Sequence, residues 1–217
     1  MYTTANAHSH NDYLQHTPFY QAYNEQFGSI EADIHLRKGL LLVAHDSADV
    51  IENNTLEHLY LLPLVQAIER NGGYVYKDSS LKLQLLIDIK TDSIHTLDMF
   101  VELLKKYPVI TQNKTVRIVI TGNRPHQKLY AGYPPFIWFD GNAAVQYSKD
   151  ALLKIALLSD DFSSYTHWRG SDDMPDSASR IVLALVNNAH HLEKPIRFYG
   201  CPDNTNAWKE MMKLKVD

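Results

Sequence analysis

The stretch "AHSHNDY" at residues 7–13 sets two histidines one residue apart and follows them with an amide and a carboxylate. A strand alternates its faces, so His8, His10 and Asp12 would share one side and Asn11 would take the other. Three such groups on one face are costly to bury unless a metal, a partner or a substrate uses them. Within "SIEADIHL", Glu31 and Asp33 are also spaced by two, with Ile30, Ala32 and Ile34 on the opposite face. An apolar run ends in His45-Asp46, where Asp46 is placed to orient the His45 ring, and "LLIDIK" ends with Asp88 and Lys90. The carboxylate pair calls for a counter-charge. One remedy is a hard cation, Mg2+ or Ca2+, with Asp88 as the third oxygen donor; the other is an internal salt bridge to Lys90.

Two imidazoles can serve as acid and base near neutral pH. Lys90 offers a fixed positive charge suited to a phosphate oxygen. The set of two histidines, three carboxylates and a lysine is chemistry for a phosphoryl group. Cation and lysine would neutralise developing charge, one histidine would deprotonate the nucleophile, and the other would protonate the leaving oxygen.

These residues need elements that bring them to one place. Short β-rich runs alternate with longer helical patterns along the chain, which is an α/β signal. A weak strand at residues 5–8 leads to a helix at residues 18–27. "SIEADIHL" and "LLLVAHD" are strands joined by the turn residues "RKG". Helix "LEHLYLLPLVQAIERNGG" follows, started or kinked at Pro63, then strand "LQLLIDIK" and an amphipathic helix from Ser93, its expected cap. Strands "VRIVITG", "FIWFDG", "KIALLSDD" and "IRFYG" come next, with a helix at residues 177–191 before the last of them and "NAWKEMMKL" after it.

Most of these strands are continuous apolar runs, as in a parallel sheet covered on both faces. A dinucleotide-binding sheet would show a glycine-rich turn after its first strand, and "HSHNDYLQ" has none. Polar residues stand instead at the carboxyl ends of successive strands, among them Thr121, Asp140, Ser159 to Asp161 and Asp203. That is where a (β/α)8 barrel puts its chemistry. No Gly-, Pro- or Ser-rich linker divides the chain, so residues 1–217 are expected to form a single barrel domain.

The 217 residues are 45% hydrophobic and 21% charged, ordinary for a globular protein. A net charge of −4 argues against a general nucleic-acid binder. Cys201 is the single cysteine, which excludes an intramolecular disulfide. No transmembrane stretch and no leader stand in the sequence. A secreted or periplasmic protein with its leader removed is favoured over a cytoplasmic one.

On His10, "EAD" at 31–33, "HD" at 45–46 and "DIK" at 88–90, the sequence resembles the glycerophosphodiester phosphodiesterase and phosphatidylinositol phospholipase C-like superfamily of TIM-type barrels. The aspartate of "DIK" is similar to the sphingomyelinase D branch. "HSHNDY", with a late "PDNTNAW" at 202–208, resembles a bacterial subgroup. The resemblance spans nearly the whole chain. It implies His10 and His45 as the acid/base pair, Glu31, Asp33 and Asp88 as ligands of one divalent cation, and Lys90 on the phosphate. The implied substrate is a small phosphodiester or a lipid headgroup, and the cation is Mg2+ or Ca2+ rather than Zn2+.

Typical relatives carry H-R-G at strand one, with the arginine on the phosphate. Here Asn11 holds that place and is the corresponding substrate-binding position. The chain ends at "LKVD" where an eighth strand is expected, so the barrel is expected to lack that strand and to leave edges through which it could dimerise. Trp168, in the polar loop "THWRGSDDMP", is the expected aromatic contact to substrate. Two rival readings follow: an H-x-H zinc hydrolase of the amidohydrolase kind built on His8 and His10, and a barrel that binds a ligand without turnover.

Overall fold

A computed structural model describes every residue from Met1 to Asp217. The chain forms two compact units, Met1–Trp138 and Phe139–Asp217. The boundary between them falls inside a strand, between Trp138 and Phe139.

In the first unit, β1 (His8–Ser9), β2 (Ser29–Arg37), β4 (Leu83–Ile89) and β5 (Val116–Gly122) pair in parallel in that order, and β3 (Leu40–Val43) runs antiparallel to β2. The β2–β3 connection is a tight hairpin through Lys38 and Gly39, both at positive φ (49° and 78°), the backbone sign that suits a two-residue hairpin turn. The expected "RKG" turn is there, and it makes β3 a returning arm of β2, not a further parallel strand. β2 alternates apolar Ile30, Ala32 and Ile34 with polar Glu31, Asp33 and His35, whereas β4 is apolar except for Gln84 and Asp88. Ile30, Ala32, Ile34, Leu85, Ile87 and Ile89 have no exposed surface.

A π-turn (Glu57–Leu61) runs directly into α2 (Leu62–Arg70), with Pro63 just past the junction. The helix after β4, α3 (Ser93–Leu104), presents buried Leu97, Phe100, Val101 and Leu104. Its cap is Asp92, whose side chain accepts the His95 N–H at 2.9 Å, one residue before the expected Ser93. Helix α1 is only Tyr20–Asn24, shorter than expected, because Phe19 at its start sits at φ 65°. A short α4 (Pro108–Thr111) precedes β5.

In the second unit, β6 (Ile137–Asn142), β7 (Ile155–Asp161) and β8 (Ile196–Tyr199) are parallel in that order. They alternate with α5 (Lys149–Leu152), α6 (Asp176–His191) and α7 (Thr205–Lys213). Asn204 caps α7 by accepting the Ala207 N–H at 3.0 Å. Within each unit, parallel strands in chain order, most of them succeeded by a helix or helical turn, are the α/β architecture of a TIM-type barrel. No helix is long and apolar enough to cross a membrane.

Candidate active site

The spacing by two on β2 does what the sequence predicted. Glu31 and Asp33 share a face, and the parallel register sets Asp88 beside Asp33 and Thr121 beside Asp88. Glu31, Asp33 and Asp88 each offer an oxygen, and these three atoms lie within 4.8 Å of one another. Glu31 and Asp33 are buried, Asp33 completely.

The lysine engages the carboxylates one oxygen at a time. Lys90 Nζ bridges Asp33 Oδ2 at 3.0 Å and Asp88 Oδ2 at 3.1 Å. Asp33 Oδ1 and Asp88 Oδ1 are both buried without a hydrogen-bond partner. Buried oxygens of this kind are rare and call for a ligand. Burial pushes the Asp88 carboxyl above the ordinary carboxylate range, and the neighbouring Lys90 offsets only part of that rise. Burial works to lower Lys90, yet Asp88 and Asp33 together hold it above the usual lysine range. The lysine is therefore a fixed cation that two carboxylates share.

The hairpin decides where His45 stands. Ile34 pairs with Val43, and the Ala44 N–H reaches the Asp33 carbonyl at 3.3 Å, so the chain after β3 comes back over Asp33. His45 Nδ1 lies 3.1 Å from Asp33 Oδ2. Asp33, on the neighbouring strand, thus orients the ring in place of the expected Asp46. His45 and His10 have side chains 54% and 59% exposed, open to a ligand above the buried carboxylates. His10 Nε2 is 3.6 Å from Glu31 Oε1.

His8 stands closer to Glu31, with Nε2 at 2.9 Å from Oε2 and Nδ1 at 2.8 Å from Ser29 Oγ. Both of its ring nitrogens are engaged, one with the Glu31 carboxylate and the other with the Ser29 hydroxyl. The three-member cluster able to hold a metal contains no histidine, and an all-oxygen set suits Mg2+ or Ca2+ better than zinc.

Asp12 does not share a face with the histidines. β1 ends at Ser9, and Asn11 turns left-handed at φ 48°, which breaks the strand alternation. Asp12 is fully buried and accepts hydrogen bonds from Ser9 Oγ, the Phe19 N–H and the Tyr60 hydroxyl. Tyr13 is the residue of this turn that reaches the carboxylates, its hydroxyl donating to Asp33 Oδ2 at 2.9 Å. Burial and the adjacent Asp33 carboxylate push the Tyr13 phenol above its ordinary range, so it stays a donor.

The sequence reading gave Tyr13 no role, and nothing in strand periodicity would have found it. It also missed His35, the next residue on the Glu31–Asp33 face. His35 is buried, with Nε2 3.3 Å from the His45 carbonyl. Asn11 has a buried Oδ1 without a partner.

Trp168, in the second unit, is 7% exposed. Its ring meets Phe162 edge-on at 6.2 Å, and its indole N–H donates to Asp172. The structure places its ring in packing against Phe162.

The AIM6-like phosphodiesterase domain matches residues 2–140. "Altered inheritance of mitochondria protein 6" of Eremothecium gossypii is 30% identical over 97% of this chain and 65% of its own. The protein of that name from Kluyveromyces lactis is 30% identical over 59% of this chain and 40% of its own. An Arthroderma benhamiae homologue is 27% identical over 62% and 52%. The chain thus spans 40% to 65% of the length of these relatives. All three are fungal, so they lend no support to the bacterial subgroup expected from the sequence. The crystal structure of a glycerophosphodiester phosphodiesterase from Parabacteroides distasonis shares the fold, with a TM-score of 0.57 at 14% identity over 97% of this chain and 89% of that one.

Proposed function

This chain belongs to the AIM6-like phosphodiesterase domain family, and on that premise we propose that it is a metal-dependent hydrolase of small phosphodiesters, of the glycerophosphodiester or lipid-headgroup kind. The observation that carries the reading is the division of labour within the carboxylates. Lys90 takes one oxygen from each of Asp33 and Asp88, while the other oxygen of each is buried and bare. Glu31, Asp33 and Asp88 would hold one Mg2+ or Ca2+ ion. When bound, such an ion polarises a phosphoryl oxygen and neutralises charge on it.

The rest falls to the chain itself. Lys90 has a third N–H beyond the two directed at carboxylates and offers it to a phosphate oxygen. His45 is tied through Nδ1 to Asp33, so Nε2 is the nitrogen that exchanges a proton. His10, beside Glu31 and open to solvent, is its counterpart on the other side of the phosphorus. Buried carboxylates below and exposed imidazoles above define where a diester would sit. Asn11 stands where the glycerophosphodiester phosphodiesterases that the sequence resembles carry an arginine, so the phosphate would receive one fixed cation fewer from the protein.

The test is hydrolysis of bis-p-nitrophenyl phosphate with Mg2+, Ca2+ or EDTA by the wild type and by His10→Ala, His45→Ala and Asp88→Asn. Nitrophenol release that needs metal and falls by two orders of magnitude or more in each variant is the expected result. A folded chain that releases nothing in any metal is a ligand-binding barrel instead.

A further inference from the structure

The turn after β1 contains a device that the proposed acid/base and ligand set does not use. Three donors converge on Asp33 Oδ2: the Tyr13 hydroxyl at 2.9 Å, Lys90 Nζ at 3.0 Å and His45 Nδ1 at 3.1 Å. None reaches Oδ1, which is buried and unpartnered. Lys90 and His45 have work of their own, on the phosphate and the proton. Tyr13 differs because its backbone is pinned. It is the middle residue of a 3-10 turn (Asp12–Leu14), closed by the Leu14 N–H to the Asn11 carbonyl and the Gln15 N–H to the Asp12 carbonyl, each at 2.9 Å. Its neighbour Asp12 locks that turn from the opposite side, accepting Ser9 Oγ at 2.7 Å, the Phe19 N–H at 2.6 Å and the Tyr60 hydroxyl at 3.0 Å.

We infer that Tyr13 is a positioning residue of the carboxylate site: anchored by Asp12, its hydroxyl holds Asp33 in the orientation that turns Oδ1 toward a divalent cation. The inference rests on the cation reading above. Its physical basis is that a carboxylate free to rotate presents either oxygen, and must lose that freedom when it ligates an ion. A neutral donor fixed beforehand on one oxygen removes much of that loss and adds no charge to compete with the metal. Partners of this kind, one bond removed from the ligand atoms, typically change metal affinity by about 10- to 100-fold.

The experiment is calorimetric titration of the full chain with Mg2+ and Ca2+, with Mn2+ as a spectroscopic probe, on wild type, Tyr13→Phe and Asp12→Asn, together with thermal melts in EDTA. Tyr13→Phe keeps the ring and removes one half-buried hydroxyl. Its metal dissociation constant should rise about tenfold while its melt in EDTA stays within a degree or two of wild type. Asp12→Asn exchanges an oxygen that accepts donors for an N–H that cannot, so its melt in EDTA should fall by several degrees and its metal binding should weaken with it.

Wild-type affinity in Tyr13→Phe would overturn the inference while leaving the cation site standing. A Tyr13→Phe melt that falls as far as that of Asp12→Asn would overturn it too, by showing that the hydroxyl serves folding. A wild type that takes up none of the three ions would overturn the cation reading and this inference with it.

Discussion

Gly122 lies directly against Asp88: a Cβ built on Gly122 would stand 1.9 Å from Asp88 Oδ1 and 2.8 Å from the Ile89 carbonyl oxygen. The same glycine has φ 68°, where an L side chain adds roughly 1–2 kcal/mol of strain. The oxygen that a side chain here would displace is the unpartnered one.

Gly122→Ala should therefore strike Asp88 before anything else. The expected outcome is a loss of divalent-cation binding by at least tenfold and a stability loss of about 1–2 kcal/mol. Metal titration beside a urea melt checks both. A variant that binds metal as wild type does would show that Asp88 Oδ1 is not a ligand.

Lys90→Met removes the cation shared by Asp33 and Asp88 and leaves two carboxylates side by side in a buried place. In EDTA the variant should lose about 3 kcal/mol of stability, the magnitude expected when one partner of a buried ion pair is removed. Added Mg2+ or Ca2+ should restore part of that loss, and more of it than the ion adds to wild type. Urea melts with and without metal measure the difference.

The pH dependence of Cys201 follows from its surroundings. Burial, with a smaller contribution from Asp203, pushes its thiol up from 9.0 to about 11. A folded-state value above the unfolded one means that the native state holds its proton longer. This group's contribution to stability is complete below pH 9 and is lost as pH rises through about 11. Below pH 9 the native thiolate fraction is roughly a hundredfold lower than that of a free cysteine of ordinary value. Labelling by a thiol reagent at pH 8 should be slowed by about that factor, and the rate should climb steeply toward pH 11.

Trp168→Phe separates packing from substrate contact. The variant keeps an aromatic ring against Phe162 and loses the indole N–H that serves the Asp172 carbonyl and carboxylate. It should cost about 1–2 kcal/mol of stability and leave KM for the chromogenic diester unchanged. A KM that rises several-fold without a change in the melt would return Trp168 to the substrate.

Features set by local periodicity were legible in the sequence. Spacing by two along one strand put Glu31 and Asp33 on a common face. Alternation marked β2, apolar runs of strand length marked β4, β5, β6 and β7, and the succession of such strands with helical patterns marked the α/β class. The residues between β2 and β3 announced a turn, though not that β3 would run back along β2. Such features depend on residues within a few positions of each other, and pleat and helical pitch act over that range.

Other features required the tertiary structure, because they depend on register between distant segments or on a single backbone dihedral. Alternation assigned Asp12 to the histidine face and gave Tyr13 nothing. One left-handed residue, Asn11, turned Asp12 inward to Phe19 and Tyr60 and delivered Tyr13 to Asp33. Asp46 adjoins His45 in sequence, yet the hairpin sets the ring on Asp33, twelve positions away. Whether Lys90 or a cation should answer the carboxylates was undecidable from composition. Only the lateral pairing of Asp33 with Asp88 showed the lysine bridging one oxygen of each and leaving the other bare.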